Sequence, residues 1–156
     1  MKPEFSFYVQ PLAEAFVSRV RTSLIDDFGR QVCAMQAKGG EPLRDRLRRA
    51  IPGEPIILCS YQAVPLPSAY AEVGPIFISA AAESPPQTVL NALPACYFAR
   101  TFALRGYNAS NEIVESTLTE LIDAIDTIRS LLAMPDVGIL HARFAGHGCF
   151  AARMVR

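Results

Sequence analysis

Residues 137–156, VGILHARFAGHGCFAARMVR, carry the clearest fold pattern in this chain and many of its reactive side chains. Two runs in which apolar residues alternate with others flank a small, glycine-bearing turn at residues 144–148, a pattern typical of a β-hairpin. Both histidines of the protein and one of its four cysteines lie within this segment. We therefore predict a C-terminal β-hairpin and expect any functional site to lie on it.

Symmetric pairing of the two runs around the turn would place Arg143 opposite Cys149 and His141 opposite Ala151. Because side chains alternate between the faces of a strand, His141, Cys149 and Arg153 would then share one face. A thiol beside an imidazole and a guanidinium is a candidate nucleophile, since nearby positive charge favours the thiolate. These three are therefore candidate catalytic residues. The alternative is structural, with a core thiol, a hydrogen-bonded histidine and an exposed edge arginine.

Zinc binding is a further possibility for the same hairpin, because His141, His147 and Cys149 are residue types that bind zinc. A structural zinc site requires four protein ligands, and a catalytic site requires three with supporting hydrogen bonds. No nearby acidic residue completes the set, and Asp136 is the closest in sequence. We expect no metal and no cofactor.

Ligand binding is predicted for three residues, namely Arg44, Tyr107 and His147. Arg44 belongs to the only basic cluster of the chain, RDRLRR at residues 44–49, and arginine suits bidentate binding of carboxylate or phosphate. Tyr107 ends a predicted strand at a turn, where a phenol can face a cleft. The expected ligand is a small anionic molecule. The alternatives are a solvated arginine face with local ion pairs and a half-buried corner tyrosine.

The fold class indicated by the remaining segments is α+β, with a mixed, largely antiparallel sheet of six to seven strands. Apolar residues at helical spacing predict helices over residues 13–28 and 117–133, which would cover one face of the sheet. Thr117 and Glu120 form a capping-box pattern at the start of the second helix. Residues 55–64 read as a central strand that is apolar on both faces. Leu43 and Leu47 suggest one or two helical turns near residue 45.

Composition places the chain among single-domain globular proteins, with one domain over residues 1–156. Fifteen acidic residues balance fifteen basic ones, so no net field attracts nucleic acid or an anionic membrane, and little opposes a homo-oligomer. The basic cluster is interrupted by acidic residues and contains no aromatic residue, which argues further against nucleic acid. The longest apolar runs are too short to span a membrane, and no signal peptide is apparent. We expect a cytoplasmic protein with reduced cysteines.

The order of short motifs along the chain resembles a bacterial family known only as domain of unknown function 1203. The matching pieces are GEPLR at 40–44, PGE at 52–54, GPIF at 74–77, RGY at 105–107, His141, and GCFAAR at 148–153. Leu43 stands where members often have a cysteine, and Phe150 stands where a tyrosine commonly follows the late cysteine. The first difference weakens any two-cysteine chemistry. The resemblance implies one soluble domain and no assigned activity.

Two hypotheses about function follow. The first is a small-molecule-binding protein or small enzyme whose pocket combines the C-terminal hairpin with Arg44 and Tyr107. The second is a non-enzymatic interaction or subunit protein, in which the histidine, cysteine and arginine residues are structural and an apolar patch forms the contact. The first requires several of these side chains to converge on one pocket.

Overall fold

A computed structural model describes residues 4–83 and 88–156, and within these residues the chain forms two helices and 11 strands in two sheets. The helices are α1 (Glu14–Ser23) and α2 (Ala124–Leu132). The strands are β1 (Tyr8–Gln10), β2 (Ala34–Gln36), β3 (Pro42–Leu43), β4 (Arg48–Arg49), β5 (Pro55–Val64), β6 (Glu72–Ser79), β7 (Val89–Leu90), β8 (Thr101–Tyr107), β9 (Ile113–Glu120), β10 (Ile139–Phe144) and β11 (Phe150–Val155).

The larger sheet has the order β7-β1-β11-β10-β8-β9 and is antiparallel at every pairing. The smaller sheet has the order β2-β5-β6-β3-β4, with one parallel pairing between β3 and β6. The predicted strand at residues 55–64 is confirmed as β5, between β2 and β6. The predicted C-terminal hairpin is formed by β10 and β11.

Each helix covers a different sheet, which corrects the prediction of one sheet covered on one face. Val17 and Val20 of α1 pack in a cluster with Ile57 and Ile78 of the smaller sheet. Ile128 of α2 packs with buried residues of the larger sheet. The molecule is dominated by strands, so the expected α+β class holds only in the broad sense that helices accompany mostly antiparallel sheets.

The second helix begins later than predicted. Residues 117–120 belong to β9, where Leu118 pairs with Ala103 and Glu120 with Thr101 of β8. The Glu120 carboxylate accepts a hydrogen bond from the Thr101 hydroxyl at 2.6 Å, so it forms no capping box. Pairing with β8 supplies hydrogen bonds along the whole segment, and this tertiary gain outweighs the local helical pattern.

The first helix ends earlier than the predicted residue 28. Leu24 adopts a left-handed backbone (φ 55°), and its N–H bonds the Val20 carbonyl. The buried Asp26 carboxylate then accepts N–H groups of Phe28 and Arg30, and these bonds hold a loop in place of further helix. The hydrogen bonds also lower the pKa of Asp26 overall, although burial, the largest single effect, acts in the opposite direction.

The segment between β3 and β4 is a hairpin turn where helical turns were predicted. Leu47 N–H bonds the Leu43 carbonyl at 2.8 Å, which closes a single turn, and Leu47 then adopts a left-handed backbone (φ 52°). The buried Asp45 carboxylate accepts the Ser79 N–H and a guanidinium N–H of Arg21, so this turn is fixed against both β6 and α1. The turn brings Arg44 to the interface between the two sheets.

Candidate functional site

A groove of about 640 Å³ lies where the C-terminal hairpin turn meets the smaller sheet. One wall is formed by the hairpin turn, another by the chain around residues 38–44, and the floor by β5 and β6. The lining residues are Lys38, Gly39, Gly40, Glu41, Pro42, Arg44, Arg49, Leu58, Pro75, Ile76, Phe77, Ala99, Thr101, Phe144, Ala145, Gly146, His147 and Cys149. Three predicted site residues, Arg44, His147 and Cys149, therefore line one groove.

Arg44 is the most deeply buried charged side chain of the groove, with 3% of its surface exposed. Its Nε donates to the Phe150 carbonyl at 2.8 Å, and its Nη1 donates to the Pro42 carbonyl at 2.7 Å. Among the described residues, Nη2 has no hydrogen-bond acceptor. Burial lowers the pKa of Arg44, yet arginine stays protonated in proteins. A permanent cation therefore lies in the wall of the groove with donor capacity left over.

Arg49 lies beside Arg44 and is held in a similar way. Its Nε donates to the Tyr97 carbonyl and its Nη1 to the Gly40 carbonyl, each at 3.0 Å. Both guanidinium groups contact the Phe144 ring, at 5.1 Å and 5.0 Å from the ring centroid. The aromatic ring and the backbone carbonyls fix the two cations without neutralising them.

No carboxylate of the described residues forms an ion pair with either guanidinium. Glu41, which also lines the groove, accepts the backbone N–H groups of Lys38 and Gly39 at 2.6 Å and 2.9 Å, and these bonds lower its pKa against the effect of burial. Arg48, in contrast, is paired with Glu54, as a local ion-pair face would require. A buried cation is costly unless it is compensated, so the groove is electrostatically suited to an anion.

Cys149 is a half-buried free thiol on the hairpin side of the groove. It is close enough to the Arg44 guanidinium for the two to interact electrostatically. Its sulfur has a weak contact with the His147 carbonyl at 3.9 Å, and the His147 side chain itself is exposed. The structure thus brings a thiol, an arginine pair and an exposed imidazole to one groove.

The register of the hairpin differs from the prediction, and this separates His141 from Cys149. His141 lies opposite Arg153, not opposite Ala151. A β-bulge leaves Ala151 unpaired between the pairs Arg143–Phe150 and Ala142–Ala152. The extra residue reverses the alternation of faces, so Phe150, and not Cys149, shares the face of His141, and its ring lies 5.1 Å from the imidazole.

His141 is enclosed away from the groove, with 3% of its surface exposed. Its ring packs between Tyr107 and Phe150, and its Nδ1 has no hydrogen-bond partner among the described residues. Burial, followed by the nearby charges of Arg143 and other arginines, lowers the pKa of His141 to about 3. The imidazole is therefore neutral at physiological pH, and the predicted pairing of His141 with Cys149 is wrong.

Tyr107 and Arg153 also lie outside the groove. Tyr107 is 1% exposed and its ring packs at a tilt against His141, so it faces no cleft. Arg153 is exposed and lines a separate cavity of about 370 Å³ together with Tyr61 and Phe150. Three of the six predicted site residues therefore line the groove, and the other three lie elsewhere.

Sequence reasoning did not single out Arg49, Phe144 or the ion pair of Arg143 with Glu72. Arg143 is 3% exposed and donates from both Nη atoms to the two Glu72 carboxylate oxygens, each at 2.6 Å, and also to the Gly148 carbonyl at 2.9 Å. This pair ties the hairpin turn to β6 and so holds one wall of the groove to its floor. Only the arginine cluster could have drawn attention to Arg49, since local sequence does not reveal pairing over 71 positions.

In residues 4–83 and 88–156, no group of three or more His, Cys, Asp or Glu side chains is arranged to hold a metal ion. Neither of the helices described above has the length and apolar character needed to cross a membrane.

The fold and site together define a two-sheet protein with a buried arginine in the wall of a largely apolar groove. The family model described as protein of unknown function (DUF1203) matches residues 40–156. The chain belongs to this family, as its short motifs suggested. The matched region contains every groove residue except Lys38 and Gly39. No curated protein and no solved structure matches the chain.

Proposed function

We propose that the protein binds a small anionic molecule in the groove, as a small-molecule-binding protein or a small enzyme. The observation that carries the proposal is Arg44, a nearly fully buried guanidinium that lines the groove and has no carboxylate partner among the described residues. An anion at this position would accept from Nη2 and supply the missing negative charge. Charge-assisted hydrogen bonds of this kind are short and stronger than neutral ones.

Arg49 gives the anion a second cationic partner, and its guanidinium is fixed by Phe144 and two carbonyls. Prior fixation reduces the conformational entropy that binding would otherwise cost. His147, on the exposed turn, is proposed as a further donor. His141, Tyr107 and Arg153 lie outside the groove, so we give them no direct role in binding.

Cys149 distinguishes the two forms of the proposal. In a small enzyme, its half-buried thiol beside Arg44 is the candidate nucleophile, with the arginine pair holding the substrate anion. In a binding protein, the thiol only lines the site. Because His141 is remote, a nucleophilic Cys149 would depend on the arginine pair and His147 for its electrostatic environment.

The proposal is tested by titrating the protein with acetate and with inorganic phosphate and following backbone amide shifts of Gly40 and Cys149. We expect saturable shifts in the natural protein and a loss of affinity of roughly tenfold or more in Arg49→Gln, as removal of a charged hydrogen bond implies. Arg49 is preferred to Arg44, whose bonds to two backbone carbonyls support the fold.

The matched control is Arg30→Gln, which removes the same charge from an exposed side chain outside the groove. Its affinity for both anions should equal that of the natural protein. Equal weakening in the two variants, or no saturable shift with either anion, would show that the groove is not an anion site.

An interaction protein is the second candidate, and it is favoured by the apolar surface at the end of β9. Leu118 is 67% exposed and Ile122 is 91% exposed, and β9 is an edge strand of the larger sheet. Exposed apolar residues on a strand edge mark a surface that another chain can cover. A dimer seen by sedimentation that dissociates in Ile122→Ser would support this candidate.

A further inference from the structure

The groove combines its cationic wall with an apolar floor. Leu58 lies on the central strand β5 of the smaller sheet, yet it is 41% exposed. Its cross-strand partner is Phe77 of β6, which packs on one side against a small buried cluster that includes Leu43. Pro75, beside them in the groove, is also exposed. Leu58 therefore faces solvent inside the groove although it lies in the middle of a sheet.

The donors available in the groove suit a carboxylate better than a phosphate. Phosphate sites commonly use several free backbone N–H groups in a glycine-rich loop or at a helix N-terminus. Here the Gly39 N–H is bonded to Glu41 and the Gly40 N–H to the Ala50 carbonyl at 2.8 Å. The described loop 38–41 thus uses these donors internally, and the Glu41 carboxylate adds a negative charge to the lining of the groove, which disfavours a dianion.

We infer that the ligand of this groove is an organic monocarboxylate with an apolar body, an inference that rests on the proposed anion site. The carboxylate is held by Arg44 and Arg49, and the apolar body lies along Leu58, Phe77 and Pro75. A volume of about 640 Å³ is within the usual range for binding sites of organic molecules and far exceeds what acetate fills. Both ends of such a ligand would be matched by groups that the folded chain leaves uncovered.

The test is isothermal titration calorimetry with straight-chain carboxylates from butyrate to octanoate, together with octanol and inorganic phosphate. The association constant is expected to rise about fourfold for each methylene group that the floor buries. Octanol, which lacks the charge, and phosphate, which lacks the apolar body, should both bind more weakly than octanoate. Leu58→Ser should flatten the dependence on chain length, while Arg49→Gln should weaken every carboxylate by a similar factor.

Leu118→Ser is the control, since it removes an exposed leucine from β9 outside the groove and should leave the chain-length dependence unchanged. Leu58→Thr, whose β-branched side chain favours a strand, serves if the serine variant unfolds. Equal affinity for butyrate and octanoate with Arg49 still required would refute the apolar body and leave the anion site standing. Carboxylate affinities that are unchanged in Arg49→Gln would instead refute the anion site, and phosphate binding tighter than octanoate would refute the monocarboxylate.

Discussion

Breaking the ion pair between Glu72 and Arg143 should destabilise the protein strongly, because Arg143 would remain buried without its counter-charge. Glu72→Gln keeps the size and one acceptor oxygen but removes the negative charge. Loss of one partner of a buried pair costs about 3–5 kcal/mol. Glu72 is 32% exposed and Arg143 retains its bond to the Gly148 carbonyl, so we expect a value near the lower end, about 3 kcal/mol.

The measurement is urea denaturation followed by far-ultraviolet circular dichroism, since the chain contains no tryptophan. A loss of about 3 kcal/mol in a domain of this size corresponds to a fall in melting temperature of roughly 6–12 °C. Glu120→Gln is the control, because it disrupts the exposed pair with Arg100 and should change the midpoint far less. A loss below about 1 kcal/mol in Glu72→Gln would refute the claim that this pair joins the hairpin to β6.

Two further predictions concern the core and the buried histidine. Ile128→Ala should lower the free energy of unfolding by about 2–5 kcal/mol because Ile128 is fully buried. The control Ile122→Ala, at a site 91% exposed, should change it by less than about 0.5 kcal/mol. Equal urea midpoints for these two variants would refute the packing of α2. Because the pKa of His141 falls from 6.5 unfolded to about 3 folded, the unfolded chain binds the extra proton as pH drops below 6.5. The free energy of unfolding should therefore decrease by about 2 kcal/mol from pH 7.5 to 5 in the natural protein and by less in His141→Gln. The same pH dependence in both proteins would contradict the buried, neutral imidazole.

Local sequence predicted the elements whose patterns agree with their tertiary surroundings. The hairpin at the C-terminus and the strand at residues 55–64 both formed as expected. The prediction from local sequence failed where two patterns compete. Residues 117–120, for example, fit a helical face but pair with β8. Which pattern prevails depends on the partner strand, and local propensity does not contain that information.

The candidate site depends even more on distant contacts. Arg44 reaches the Phe150 carbonyl across 106 positions, and the Tyr97 hydroxyl donates to the Ala151 carbonyl at 2.7 Å. These two donors satisfy carbonyls at the β-bulge, whose unpaired residue would otherwise leave them buried without partners. The bulge is what turns Cys149 toward the groove and away from His141.

Sequence patterns were enough to predict the family, the C-terminal hairpin, the central strand and the reactive side chains gathered at residues 137–156. Long-range contacts, in contrast, establish that there are two sheets, that each helix covers a different one, and that Cys149 lies near Arg44 rather than His141. The difference arises because side chains alternate with a period of two along a strand. One extra residue exchanges the faces of all that follow, and whether it is tolerated depends on hydrogen-bond donors far away in the chain.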